Sequence, residues 1–486
     1  LAELAELAPA GVVLFSRNVG SPEETRALVA AVRAASGTHT FVAVDQEGGR
    51  VARLRRGFTP LPSMMAVGAC GDPVLAERVG TALAVDLARA GADVDFAPVL
   101  DLALEPANTV IGTRAFGDDP VRASILGAAL VHGLQNGGAA ATLKHFPGHG
   151  ATTLDSHRAL PHLDADAATL RAREFVPFSA GIAAGAKAVM SAHVVVDGLD
   201  PDAPATLSQL ILTGVLRDEL GFRGVCFTDA LEMKAIAASL GSARAAVLAV
   251  MAGADCVVAS EGLELARTVC GALLSAVESG ELPFARLREA AARVARLRDG
   301  LPRMTGLAEP PTHDEVGMQV ARRAVTALHG ETRLDPARPV SIVSFEGAQF
   351  DGAADANDER VSLNLALRRR RLRSESLRVP LDPEPEMVTH LLELLRAQNH
   401  QLVLIMRRAH LHPGQRRAVE ALIQAVPQAI AVSALEPFDA PLAARAGALL
   451  CSYGDDECAI EALADILSGG AEAVGTLPVR LACSTS

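Results

Sequence analysis

Between residue 11 and about residue 260, short apolar runs recur. Each ends in polar or Gly-containing residues and is followed by an Ala/Leu-rich stretch of helical character. The runs are Gly11–Phe15, Thr40–Val44, Asp93–Val99, Ala141–Lys144, Ala188–His193, Gly224–Phe227 and Asp255–Ala259. Continuous apolar strands that alternate with helices form a parallel sheet covered on both faces. The pattern predicts an α/β fold, a (β/α)8 barrel of the TIM type. Seven strands are counted where that barrel needs eight. The eighth is expected in a segment ahead of Leu1, because the chain opens without Met.

A second αβ series follows, with apolar runs at Val340–Phe345, Leu402–Met406, Ala429–Ser433 and Ala448–Cys451. The segment Leu301–Gly317 carries Pro302, Pro310 and Pro311 and few apolar residues, so it reads as the end of one domain and a linker. The expected division is a barrel catalytic domain over 1–305, a linker and connecting helix over 306–335, and a C-terminal α/β sandwich domain over 336–486. The second series lacks the concentration of polar residues at strand ends that marks the first, and it reads as structural.

Composition narrows the function classes. A length of 486 residues favours two domains. A net charge of −12 speaks against a nucleic-acid footprint, which needs clustered cations. The basic run Arg368–Arg371, with Arg373, reads as a solvated helix face rather than an anion site. The seven cysteines are scattered and show no CxxC spacing, as expected of reduced, mostly buried thiols in a cytoplasmic protein without a zinc site. No signal peptide is visible. The charge-free stretch Ser124–Leu143 contains His132, Gln135, Asn136 and two adjacent glycines, unlike a membrane span. No metal or other cofactor is expected. With no Trp and one Tyr, the chain is poor in the aromatic platforms on which sugar rings stack, which counts against a sugar site.

Candidate chemistry lies where polar residues meet strand ends. Asp45, Asp101, Lys144, His145, His193 and Asp229 all fall at or just past the C-terminal end of an expected strand. Catalytic groups gather at that face of a barrel. A doubly wound sheet would also bind there, but no Gly-x-Gly-x-x-Gly follows the first strand and no Walker A sequence occurs. The densest segment is Lys144-His145-Phe-Pro-Gly-His149-Gly150 with Asp155-Ser-His157. A carboxylate beside an imidazole fixes its tautomer and raises its proton affinity, as an oriented general acid/base requires. An isolated Asp-x-His is more often a surface pair. A metal site is the rival reading, and Lys144 in the same cluster opposes it. Asp229 alone would read as a helix N-cap. Asp45-Gln-Glu47-Gly-Gly-Arg50 with Arg53 suits either a polar ligand or a buried Arg–carboxylate support. Arg114 suits either a ligand clamp or an ordinary ion pair.

Taken together, these segments resemble glycoside hydrolase family 3, specifically its NagZ-type β-N-acetylglucosaminidases in their two-domain form. The resemblance rests on Asp45-Gln-Glu-Gly-Gly-Arg50-Val-Ala-Arg53, Ile111-Gly-Thr-Arg114-Ala-Phe116, Lys144-His-Phe-Pro-Gly-His-Gly150 with Asp155-Ser-His157, and Phe227-Thr-Asp229-Ala-Leu-Glu-Met233. Weaker likeness to the family's C-terminal domain lies in Leu449–Gly454 and Gly475–Val479. Thr113 and Ala230 stand where relatives often carry acids.

The resemblance implies Asp229 as nucleophile and His157 as acid/base held by Asp155. It makes Asp45, Arg53, Arg114, Lys144 and His145 binding residues for an N-acetylglucosamine unit. It further implies a retaining double displacement on small peptidoglycan-derived carbohydrates, with the loop carrying His157 moving over bound substrate. A neutral imidazole acid/base does not repel anions, so phosphate could replace water and make the enzyme a phosphorylase. A family 3 β-glucosidase, a catalytically dead muropeptide-binding barrel and a metal-dependent hydrolase are the other readings.

Overall fold

The computed structural model describes residues 2–37, 39–153, 160–301, 314–347 and 362–481. Seven parallel strands form the first sheet: β1 (Gly11–Leu14), β2 (Phe41–Val44), β3 (Val94–Asp95), β4 (Ala140–Phe146), β5 (Ala188–Ser191), β6 (Val225–Ala230) and β7 (Cys256–Val258). They pair in sequence order, and each lies on one of the seven apolar runs.

The sheet curls. Phe227 of β6 packs edge-on against Phe41 of β2 and Phe96 just past β3, at ring-centroid distances of 6.0 and 5.4 Å. Strands so far apart in the order can touch only across a common interior. Ala43, Val94, Ala140, Ala188, Met190 and Val225 share that interior. Past the strand ends, Arg17 Nη2 donates to Ser260 O at 3.2 Å, so the loops after β1 and β7 meet. No eighth strand joins β7 to β1 among the described residues.

The helices outside obey local rules. In α1 (Pro22–Ser36), Ser21 accepts from the Glu24 N–H and Glu24 reaches back to Ser21, with Pro22 at the first position. Asp72 and Asp119 cap α2 (Pro73–Ala90) and α3 (Pro120–Asn136) by accepting from backbone N–H groups of the first turn, each again followed by Pro. These two helices approach so closely that a Cβ on Gly133 would lie 2.0 Å from Glu77 O. Helix α4 (Phe175–Ala183) packs on α3, and α5 (Phe284–Gly300) sends Val294 and Leu297 into the barrel interior.

The second sheet begins at β8 (Thr326–His329), ahead of residue 336. It continues with β9 (Val340–Glu346), β10 (Ser374–Pro380), β11 (Gln401–Met406), β12 (Ile430–Ser433) and β13 (Ala448–Cys451). Its order is β8-β13-β12-β11-β9-β10, parallel except for the antiparallel β8–β13 pair. The edge strands β8 and β10 are the two the apolar pattern does not mark, since an edge needs no continuous apolar run.

Helix α6 (Asp314–Ala324) packs on α2 and on α8 (Glu457–Leu467), bridging the two units. Arg368, Arg369, Arg371 and Arg373 are exposed, as a solvated face requires, but two members of the run also dock on a neighbouring helix. On α7 (Leu363–Arg369) and the turn after it, Arg369 pairs with Glu461, and Arg370 lies 2.6 Å from Asp465, both carboxylates belonging to α8. Carboxylates spaced on a neighbouring helix decide that outcome, and the arginine run alone does not reveal them. No described helix is long and apolar enough to cross a membrane.

Candidate active site

A cleft of about 400 Å³ opens at the C-terminal ends of the barrel strands, lined by Asp45, Arg53, Arg114, Lys144, His145 and Asp229 among others. Six residues singled out from the sequence therefore share one concavity. Asp155 and His157 lie outside the described residues.

The strands explain the convergence. Asp45 is the first residue past β2, Lys144 and His145 fall in the last turnings of β4, and Asp229 is the penultimate residue of β6. Side chains at the end of a parallel strand have no further partner strand to cover them and so project into the mouth.

Electrostatics organise the floor. Lys144 Nζ sits 2.7 Å from Asp45 Oδ1 and 2.5 Å from Glu47 Oε1. Arg114 grips Glu47 with two parallel bonds, Nε to Oε2 and Nη2 to Oε1, each 2.8 Å. Bidentate geometry of this kind is strong and directional. Burial works against the Glu47 carboxylate, but Arg114 and Lys144 outweigh it and hold its pKa well below the usual range. Burial likewise disfavours the Lys144 ammonium, and Asp45 and Glu47 more than compensate, raising its pKa. Asp45 also meets Arg53, at 3.7 Å. Its side chain is 18% exposed against 1% for Glu47, so Asp45 is the carboxylate of the array that a ligand can reach.

A second buried acid orients the histidines. Asp101 Oδ2 accepts from His145 Nδ1 at 2.7 Å and from the His145 N–H at 3.1 Å, while Oδ1 accepts from the His149 N–H at 2.7 Å. With Nδ1 as donor, His145 Nε2 is the acceptor that faces Arg114 Nη2 at 3.4 Å. Burial opposes the Asp101 charge, and the surrounding His145 and His149 groups overcome it, so its pKa lies below the ordinary value. Burial dominates at His149 and pulls its pKa down to about 4. At the end of β3, burial raises the pKa of Asp95 well above the ordinary range. Its Oδ1 accepts from the Gln46 N–H at 3.0 Å.

Around Asp229, the Ala230 N–H donates to Oδ1 at 2.8 Å, which fixes the carboxylate plane. His193, fully buried, holds the next carbonyl: Nε2 lies 2.9 Å from Ala230 O and Nδ1 2.8 Å from Thr206 Oγ1. His193 is thus placed as a backbone support. Phe15 lines the cleft mouth with its ring under Arg17, an aromatic face in a chain that has few.

Sequence reasoning left Glu47, Asp101, His149 and Asp95 without an assigned role. Glu47 and Asp101 had a signal in their position at strand ends. The function of Glu47 as a shared counter-ion had none, because it depends on Arg114 arriving from the turn at Gly112–Arg114 and Lys144 from β4. Among the described residues, no group of three or more His, Cys, Asp or Glu side chains is arranged to hold a metal ion.

The chain is similar to known proteins in sequence and in fold. Residues 2–297 match the model of the glycosyl hydrolase family 3 N terminal domain. A beta-hexosaminidase of Stenotrophomonas maltophilia (strain K279a) is 46% identical over 241 residues, 47% of this chain and 69% of that protein. The beta-hexosaminidase of Chromobacterium violaceum is 43% identical over 269 residues, 54% of this chain and 75% of that protein. A solved glycoside hydrolase family 3 β-N-acetylglucosaminidase from Paenibacillus sp. str. FPU-7 superposes with a TM-score of 0.93 at 33% identity, covering 100% of this chain and 96% of that one. With its barrel matched nearly end to end and its cleft at the expected strand ends, the chain belongs to glycosyl hydrolase family 3.

Proposed function

We propose that the protein is a retaining exo-β-N-acetylglucosaminidase acting on small peptidoglycan-derived carbohydrates in the cytoplasm. The observation that carries this reading is the placement of Asp229 in one cleft with the Asp45–Lys144–Glu47–Arg114 array. The beta-hexosaminidase relatives supply the reaction class.

In the reading we favour, the solvent-facing Asp45 accepts hydrogen bonds from sugar hydroxyls. Arg53 and Lys144 neutralise it and donate. Arg114 spends Nε, both Nη2 hydrogens and one Nη1 hydrogen on Glu47, His145 and Val110 O, which leaves one Nη1–H for a ligand. An Asp229 oxygen attacks the anomeric carbon as the C1–O glycosidic bond breaks, and His157, supported by Asp155, gives its proton to the leaving oxygen. Water then adds to C1 of the glycosyl-aspartate, its proton passes to His157, and Asp229 leaves as a carboxylate. Configuration at C1 is retained after two inversions.

The test pairs an aryl β-N-acetylglucosaminide with an aryl β-glucoside, each with and without phosphate, using Asp229→Ala as control. Selective release from the first substrate, lost in the variant, supports the proposal. Sugar 1-phosphate formed only with phosphate would replace it by a phosphorylase, and preference for the glucoside by a β-glucosidase. No release from either substrate would refute an enzymatic role.

A further inference from the structure

Charged groups of the second domain converge on one turn of the barrel domain. Glu436, just past β12 and 3% exposed, accepts from the Thr113 N–H at 3.3 Å. It forms a bidentate pair with Arg408 at 2.8 and 3.0 Å. Arg408 also donates to Thr109 O at 3.3 Å. His410 Nε2 lies 3.0 Å from Pro106 O, while its Nδ1 lies 2.6 Å from Asp439 Oδ1. From the barrel side, Arg50 Nη2 sits 2.8–2.9 Å from the carbonyls of Thr109, Val110 and Ile111. The turn is tight: Gly112 has φ +42°, and a Cβ there would lie 1.9 Å from Glu436 Oε1.

The next residue of that turn after Thr113 is Arg114. Its own N–H donates to Ile111 O at 2.8 Å, so the carbonyls clasped by Arg50 and the amide held by Glu436 set where the guanidinium starts. Asn108 of the same segment donates to His149 O at 2.8 Å, which ties the turn to the histidine loop as well.

We propose that Glu436 and Arg408 are positioning residues for the sugar-binding site: the second domain holds the 109–113 turn so that Arg114 meets Glu47 and the substrate. The inference rests on Arg114 being a sugar ligand, as in the proposed function. A pair that merely docked two domains would govern stability and leave substrate affinity alone.

The test uses the full chain with Glu436→Leu and Arg408→Met together. Removing both partners leaves neither charge buried alone. On the aryl β-N-acetylglucosaminide we expect KM to rise about tenfold, the scale of a lost hydrogen bond to a charged group. Faster amide exchange should be confined to residues 105–116. Glu436→Gln keeps an acceptor for the Thr113 N–H and should restore KM to within about threefold of the parent. A parental KM in the paired variant overturns the inference. Where that variant does not fold, Gly112→Ala displaces the same turn from the barrel side, and an unchanged KM there overturns it equally. Arg114→Lys separates the two readings. If it leaves KM unaltered, the role of Arg114 fails and the inference with it. If it raises KM while the paired variant does not, the inference alone fails.

Discussion

Replacing Glu47 by Gln would remove the carboxylate that Lys144 and Arg114 share in the cleft floor. Gln keeps the shape but turns an accepting oxygen into an NH2 that faces an N–H donor. Of the three contacts at 2.5, 2.8 and 2.8 Å, only those made to the remaining oxygen survive. Breaking a buried ion pair by removing one partner costs about 3–5 kcal/mol. Lys144 retains Asp45 at 2.7 Å, so the lower end, about 3 kcal/mol, applies. Unfolding entropy of roughly 2.1 cal/mol/K per residue gives about 1 kcal/mol/K over 486 residues. If the chain unfolds as one unit, Tm then falls by about 3 °C. Scanning calorimetry reads the shift, and a cycle with Arg114→Met reads the coupling. Once Arg114 is gone, Glu47→Gln should cost about 1–2 kcal/mol less, because the bidentate bonds are already lost. An unaltered Tm for Glu47→Gln, or an equal cost in both backgrounds, would refute the shared counter-ion.

Other outcomes follow from the same electrostatics. His149 titrates at about 4 when folded and near 6.5 when unfolded, so the unfolded chain binds the extra proton between those values. Its contribution to stability should fall as pH drops from 6.5 to 4, by on the order of 3 kcal/mol. Denaturant melts at both ends of the window should lose that slope in His149→Gln, and a slope that persists assigns the effect elsewhere. Asp95→Asn keeps an acceptor for the Gln46 N–H and removes a carboxyl whose pKa is raised by burial, with Asp45 and Glu47 adding to the rise. Stability at pH 8 should hold or increase, and a loss above about 2 kcal/mol would contradict the assignment. Asp255, at the opposite end of the barrel, gathers Arg217, Arg286 and Arg293 at 2.6, 2.8 and 3.0 Å. Asp255→Asn should cost about 3–5 kcal/mol in melts while KM stays at the parental value, and a KM change would show that the two ends of the barrel are coupled.

Much of the fold was legible in the chain itself. A strand buried on both faces must be apolar throughout, so each barrel strand left a continuous run, and each polar residue that ended a run marked the mouth. Asp45, Lys144, His145 and Asp229 could be placed on one face because strand direction is the same for all members of a parallel sheet. The caps of α1 to α3 were likewise local, since a helix start needs only a side chain within three residues of its free N–H groups. Edge strands β8 and β10 escaped that reading because they are stabilised by one neighbour and need no apolar run.

Tertiary structure alone decided which charge meets which. Glu47 became a counter-ion only when Arg114, 67 positions away, arrived beside it. Arg369 and Arg370 became docking residues only when Glu461 and Asp465 lined up on a neighbouring helix. The second domain, whose strand ends looked inert in sequence, set Glu436 against Thr113 across 323 positions. Patterns of burial act through near neighbours and are written along the chain. Ion pairs act through space, and a sequence does not record the distances that make them.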